Sequence, residues 1–148
     1  MNIKNRIAVC AALIGLTMTS ITALADDHAY TEGTVVNVAA IRTAYGKFDE
    51  YMQYLDTVWK AEQEAAIKAG NIVSYRVITV EARGENDPDI YLVINYKNWA
   101  ALDGATAKSD AIAKQVEGTL AASNQGAADR SKIRRVLGSW TGQELKLK

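Results

Sequence analysis

Glu62 has the greatest chemical potential of any residue in this chain. It falls one turn beyond Trp59 in the run Tyr45 to Asn71 (YGKFDEYMQYLDTVWKAEQEAAIKAGN). Within that run Phe48, Met52, Leu55, Trp59, Glu62 and Ala66 recur at spacings of three and four, so they share one face of a helix. A carboxyl on an apolar stripe is desolvated, and its pKa rises toward the range where it can trade protons near neutral pH. The same pattern admits a plainer arrangement, in which the stripe drifts and Glu62 sits at its edge, paired with Arg42 or Arg76. Arg42 is the second polar candidate. Trp59, Tyr75, Tyr91 and Trp99 are the aromatic side chains that could wall an apolar pocket for a planar, electron-rich molecule. An aromatic stripe is more often core than pocket wall, and Trp59 and Trp140 read first as ordinary core.

Other chemistries lack their residues. The only histidine, His28, lies in a short polar stretch and is expected to be solvated. The only cysteine is Cys10, so a disulfide framework or a zinc-type cluster has nothing to build on. Glu85, Asn86, Asp87 and Asp89 come nearest to a hard-cation site, but they lack calcium-loop spacing and read as a solvated turn. No glycine-rich phosphate loop follows a strand into a helix. No cofactor and no metal is expected.

The first 25 residues read as a secretory signal peptide. Lys4 and Arg6 supply the positive start, Ile7 to Ile21 the short apolar stretch, and Ala23-Leu24-Ala25 the cleavage site. The expected location is therefore periplasmic or secreted. The 17 basic and 17 acidic residues balance, and losing Lys4 and Arg6 leaves two more acids than bases. That charge offers no footprint for nucleic acid. After Ala25 no apolar run approaches membrane-spanning length, so no membrane association is expected once the signal is removed.

The remaining elements follow in order. Residues 26–33 read as a flexible leader, and residues 34–148 as one domain. Thr34 to Thr43 is the first strand, with two largely apolar faces. Tyr45 to Asn71 is the long helix, closed at Gly70-Asn71 by a left-handed cap. Ile72 to Ala82 and Ile90 to Tyr96 are strands joined by the turn Arg83 to Asp89, an antiparallel hairpin. A second helical region covers Lys97 to Ser123. Asn124 to Asp129 reads as a loop, and Lys132 to Leu147 as the last strand, with Gly138 and Gly142 as kinks or bulges.

Strand, helix, strand, strand, helix, strand is ferredoxin-like order: an α+β fold, an antiparallel sheet with two helices on one face. The other face carries too much Val, Ile, Tyr and Trp to stay wet. A second copy packed face to face would cover it, so a homodimer is expected.

With Gly46-Lys47-Phe48 opening the first helix, Trp59 along it, and Tyr96-Lys97-Asn98-Trp99 ending a strand, the chain resembles the dimeric α/β-barrel superfamily. That superfamily includes the antibiotic-biosynthesis-monooxygenase-like, EthD-like and NIPSNAP-like groups. The resemblance spans about residues 34–147 and implies the fold. Its members range from cofactor-free oxygenases and isomerases to haem-degrading enzymes and proteins of no known activity. The haem-degrading members rely on an Asn–Trp–His set. Asn37 and Trp59 or Trp99 are counterparts for two of these, but no histidine lies on either helix, so the carry-over fails there. Two functions stay open: a binding module for a small apolar or aromatic molecule, and a cofactor-independent monooxygenase or isomerase acting on an aromatic substrate.

Overall fold

The computed structural model describes residues 28–148. The expected signal peptide, and Asp26 and Asp27 of the expected leader, lie outside the described residues.

Strand β1 spans Tyr30–Thr43. It therefore begins inside the stretch expected to be leader. The reason is its partner. Strand β4, Arg134–Leu147, is equally long and continues the ladder, with Tyr30 opposite Leu147 and Glu32 opposite Leu145. The Lys148 N–H donates to the Ala29 carbonyl at 3.0 Å. Pairing satisfies backbone groups that would otherwise need water.

Strand β2 is Ser74–Thr79, shorter than expected at both ends, and β3 is Ile90–Tyr96, as expected. The sheet order is β2-β3-β1-β4, and every neighbouring pair is antiparallel. Together with the intervening helices this is the ferredoxin-like α+β fold.

Two bulges interrupt the β1–β4 ladder. One follows Glu32, where Gly33 lies so close to β4 that a Cβ there would meet the Glu144 carboxylate at 2.9 Å. The other lies between the pairs Ala40–Gly138 and Ile41–Val136, so Leu137 is the extra residue beside the expected Gly138 kink. Gly142 pairs in register opposite Val36 and marks no bulge.

The long helix is not one uninterrupted α-helix. Helix α1 is Phe48–Tyr54 and α2 is Lys60–Lys68, with a π-helical turn, Leu55–Trp59, between them. The Lys60 N–H reaches back five residues to the Leu55 carbonyl. This wider turn rotates everything after it. The buried residues are Tyr51, Leu55, Trp59, Gln63 and Ala66, so Gln63 takes the inward place expected for Glu62. Phe48, expected on the stripe, is 39% exposed. Gly70 closes α2 at φ 73°, the left-handed cap read from the sequence.

After β3 the chain makes a short 3₁₀ turn, Trp99–Leu102, capped by the Asn98 side chain, which accepts from the Ala101 N–H at 3.2 Å. Helix α3 is Ala105–Glu117 and α4 is Leu120–Arg130. The expected loop Asn124 to Asp129 is therefore helical. Thr119 starts α4 by accepting from the Ala122 N–H at 3.1 Å, and Gln125 donates to Asp129 one turn on at 3.2 Å. Gly126, which suggested a loop, sits where a side chain would crowd Arg130 and Glu117, at 3.0 and 3.3 Å from a Cβ.

The core lies between helices and sheet. Ile41, Tyr51, Leu55, Trp59 and Ile90 form one buried cluster, and Ala66, Ile72 and Ile112 a second. Ala39, Ile41, Leu92, Ile94, Tyr75 and Val77 belong to the sheet face beneath them. The opposite face carries Val38 between Val93 and Trp140, and Tyr91 between Ile78 and Ala40. Ile78 is 41% and Trp140 57% exposed on it. Among the described residues, no helix is long and apolar enough to cross a membrane.

Candidate functional site

The rotation imposed by the π turn determines what Glu62 can touch. Moved off the sheet-facing stripe, it turns toward α3 and comes up against the carboxyl of Glu117. Two neighbouring acids cannot both ionise without cost, so one of them favours keeping its proton. Burial and the neighbouring Glu117 push the Glu62 pKa up to about 7, against a smaller opposing pull from Arg130. The sequence pairing with Arg42 or Arg76 does not occur; Glu62 meets an acid instead.

Arg130, at the end of α4, completes the cluster. Its guanidinium carbon lies 4.4 Å from the Tyr54 ring centroid, a cation–π contact. Burial pushes the Tyr54 hydroxyl up to about 12 in spite of Arg130, with Glu62 adding to the rise. Two atoms in the cluster, Glu117 Oε1 and Arg130 Nε, are buried without a hydrogen-bond partner. Four helices thus bring Tyr54, Glu62, Glu117 and Arg130 together.

Glu62 also edges a cavity of about 190 Å³ between α2, the end of β3 and α3. Its walls are mainly apolar, from Ala66, Ile72, Ile94 and Ile112. Tyr96 lines it too, and burial raises its hydroxyl pKa. Lys108 and Ser109 bring polar groups to the rim, with the Lys108 ammonium donating to the Ala101 carbonyl at 2.9 Å. An apolar volume with one proton-exchanging carboxyl at its edge can hold a small, mostly apolar molecule and move a proton on it.

The six residues singled out in the sequence do not meet in one pocket. Glu62 alone lines this cavity. Trp59 is 7% exposed and fills the core, edge-on to Tyr75 with ring centroids 5.2 Å apart. The Tyr75 hydroxyl donates to Glu64 at 2.6 Å, which raises its pKa. Tyr91 pairs opposite Ala40, so it points to the sheet face away from the helices. Trp99 is 48% exposed, its indole N–H donating to Gln143 Oε1 at 3.0 Å. Arg42 lies at the end of β1, 4.0 Å from Asp89, in a different cleft. Alternation along a strand and one extra residue in a helical turn separate side chains that sequence spacing alone would group.

Sequence reasoning missed Glu117, Arg130 and Tyr54. The acid and the base sit on helical faces that show no apolar break, and the part of α4 before Arg130, Asn124 to Asp129, reads as a loop in the sequence. The one available signal was Gly126 between helix-forming alanines, four residues before Arg130. Asn37, the counterpart offered for a haem-degrading set, donates to the Thr141 hydroxyl at 2.9 Å and the Trp140 carbonyl at 3.3 Å within the sheet. Among the described residues no group of three or more His, Cys, Asp or Glu is placed to hold a metal. His28 stacks on Tyr30, with ring centroids 5.2 Å apart.

No protein-family model and no curated protein matches the sequence. Solved structures do match by shape. HapK from Hahella chejuensis is 15% identical, with a TM-score of 0.50 over 74% of this chain and 91% of its own. Protein SO0527 from Shewanella oneidensis is 15% identical, with a TM-score of 0.51 over 79% of this chain and 96% of its own. A dimeric ferredoxin-like protein from an uncultured marine organism is 12% identical, with a TM-score of 0.46 over 78% of this chain and 94% of its own. At these identities the likeness to HapK and SO0527 is one of fold.

Proposed function

We propose that this is an exported, homodimeric α/β-barrel protein that binds a small apolar or aromatic molecule in the cavity beside Glu62. The observation that carries the reading is the apolar cavity of about 190 Å³ with a carboxyl of pKa about 7 at its edge. Export rests on the signal-like first 25 residues. The dimer rests on the uncovered sheet face, where Ile78, Tyr91 and Trp140 are costly to leave in water. Native mass spectrometry of protein purified from its own host tests the ligand. A copurified small molecule that disappears in Ile112→Trp, which fills the cavity, is the expected result. An empty spectrum from both proteins, with no shift in melting temperature across a set of aromatic compounds, would remove the reading.

A second reading follows from the same carboxyl. Glu62 would take a proton from one carbon of a bound aromatic substrate and return it to another, the work of an isomerase, or deprotonate a substrate before oxygen attack. Its half-ionised state near neutral pH favours this role. Loss of turnover in Glu62→Gln with ligand binding retained would separate enzyme from binding module.

A further inference from the structure

The cleft that holds Arg42 lies at the other end of β1 from the chain start, apart from the cavity beside Glu62 and at the end of the sheet face that the proposed dimer would cover. Its volume is about 510 Å³. Three arginines line it: Arg42, Arg134 and Arg135. Their placement is unusual for a sheet. Arg42 and Arg135 are direct partners in the β1–β4 ladder, so their side chains leave the same face side by side. Like charges directly opposite each other cost stability unless an anion separates them.

The protein supplies only part of that anion. Asp89 lies 4.0 Å from Arg42, but its carboxylate already accepts from the Thr43 N–H at 3.1 and 3.2 Å and from the Thr43 hydroxyl. Arg135 finds only neutral oxygens, the Glu85 carbonyl at 3.4 Å and the Asn86 side chain at 3.3 Å. Arg134 Nε is buried with no partner, while its guanidinium carbon lies 5.9 Å from the Tyr51 ring centroid. Glu85 and Asp89 are the carboxylates on the cleft wall, so the lining carries one positive charge in excess.

The same cleft presents aromatic surface to water. Tyr45 is 105% and Phe48 39% exposed, and both line it. A guanidinium fork matches a carboxylate in two parallel hydrogen bonds, and an aromatic wall takes a planar ring. We infer that this cleft is a binding site for a planar aromatic monocarboxylate, its carboxylate between Arg42 and Arg135 and its ring against Tyr45 and Phe48. One negative charge matches the excess, and the ring accounts for exposed aromatics that the core does not use.

Benzoate is the probe, titrated into the full-length protein by calorimetry, with acetate and inorganic phosphate as comparisons. Saturable benzoate binding is expected, at least tenfold tighter than acetate or phosphate. Arg135→Gln should weaken it roughly tenfold, the loss of one charge-assisted pair. Tyr45→Ala, at a fully exposed position that cannot cost the fold, should weaken benzoate and leave acetate unchanged. Arg76→Gln, on an exposed position of β2, should leave all three unchanged. Benzoate affinity that is absent, equal to that of phosphate, or indifferent to both Arg135→Gln and Tyr45→Ala overturns the assignment.

Discussion

The Glu62 carboxyl on α2 and the Glu117 carboxyl on α3 are neighbours, and the second acid raises the pKa of the first. Two acids held this way favour a proton between them. The helices that carry them are therefore held together best when that proton is present.

The sign of the resulting pH dependence follows from the direction of the shift. The Glu62 pKa in the folded protein, about 7, lies above that of an unfolded glutamate. Its contribution is complete below the unfolded value and is lost as pH rises through 7. Urea unfolding should show stability falling between about pH 5 and 8. Glu62→Gln, which keeps a hydrogen-bonding amide without the charge, should flatten that slope and add about 1 kcal/mol at pH 8. The figure stays below the full shift because the group is partly solvated. A wild-type profile that is flat over this range would contradict the shared proton.

Trp59 should behave as core. Trp59→Ala removes the ring packed edge-on against Tyr75 and is expected to cost about 3–5 kcal/mol in denaturant unfolding. A cost below about 1 kcal/mol would mean that the ring lines a space instead of filling one.

Asp89 fastens the loop before β3 to the end of β1 through three hydrogen bonds to Thr43. Asp89→Ala leaves the Thr43 N–H without its acceptor and should lower stability by about 1–3 kcal/mol. Thr43→Val, which keeps the backbone bond, should cost less. Equal losses in the two variants would show that the hydroxyl contributes most of the attachment.

If a second copy covers the open sheet face, a charge on it should separate the two. Trp140→Glu should halve the sedimentation mass at micromolar concentration while the far-ultraviolet dichroism of each chain stays unchanged. A wild-type mass already equal to one chain would contradict the dimer.

Much of this architecture is written in the residues. Ile90 to Tyr96 is a run of β-branched and aromatic residues bounded by Pro88 and Asn98, and it forms β3 with the expected ends. The helix cap at Gly70 and the bulge beside Gly138 follow equally local chemistry. Residues 30–33 were misjudged because nothing local marks them as strand; the distant residues of β4 provide the partner. The helical region expected to end at Ser123 falls short of Arg130 because the residues after it are weakly helical by composition and a tertiary contact, the close approach at Gly126, outweighs that weakness. For the candidate site, the sequence singles out Glu62 for a place on the sheet-facing stripe, whereas its pKa is raised off that stripe, by burial and by Glu117. It did not find Glu117 and Arg130, because a periodicity of 3.6 cannot foresee a turn that takes one residue more.

That turn gives the acid pair an unusual dependence. The meeting of Glu62 and Glu117 is set by the number of residues between Leu55 and Lys60, not by which residues they are. Deleting one codon between Leu55 and Trp59 would remove the surplus residue and leave a plain helix with Gln63 still inward and Glu62 still beside Glu117. Adding one codon there would turn everything after it further, by about 100°, and part the two acids. The falling stability between pH 5 and 8 should therefore survive the deletion and be lost on the insertion, although every ionisable group that produces it remains in both genes.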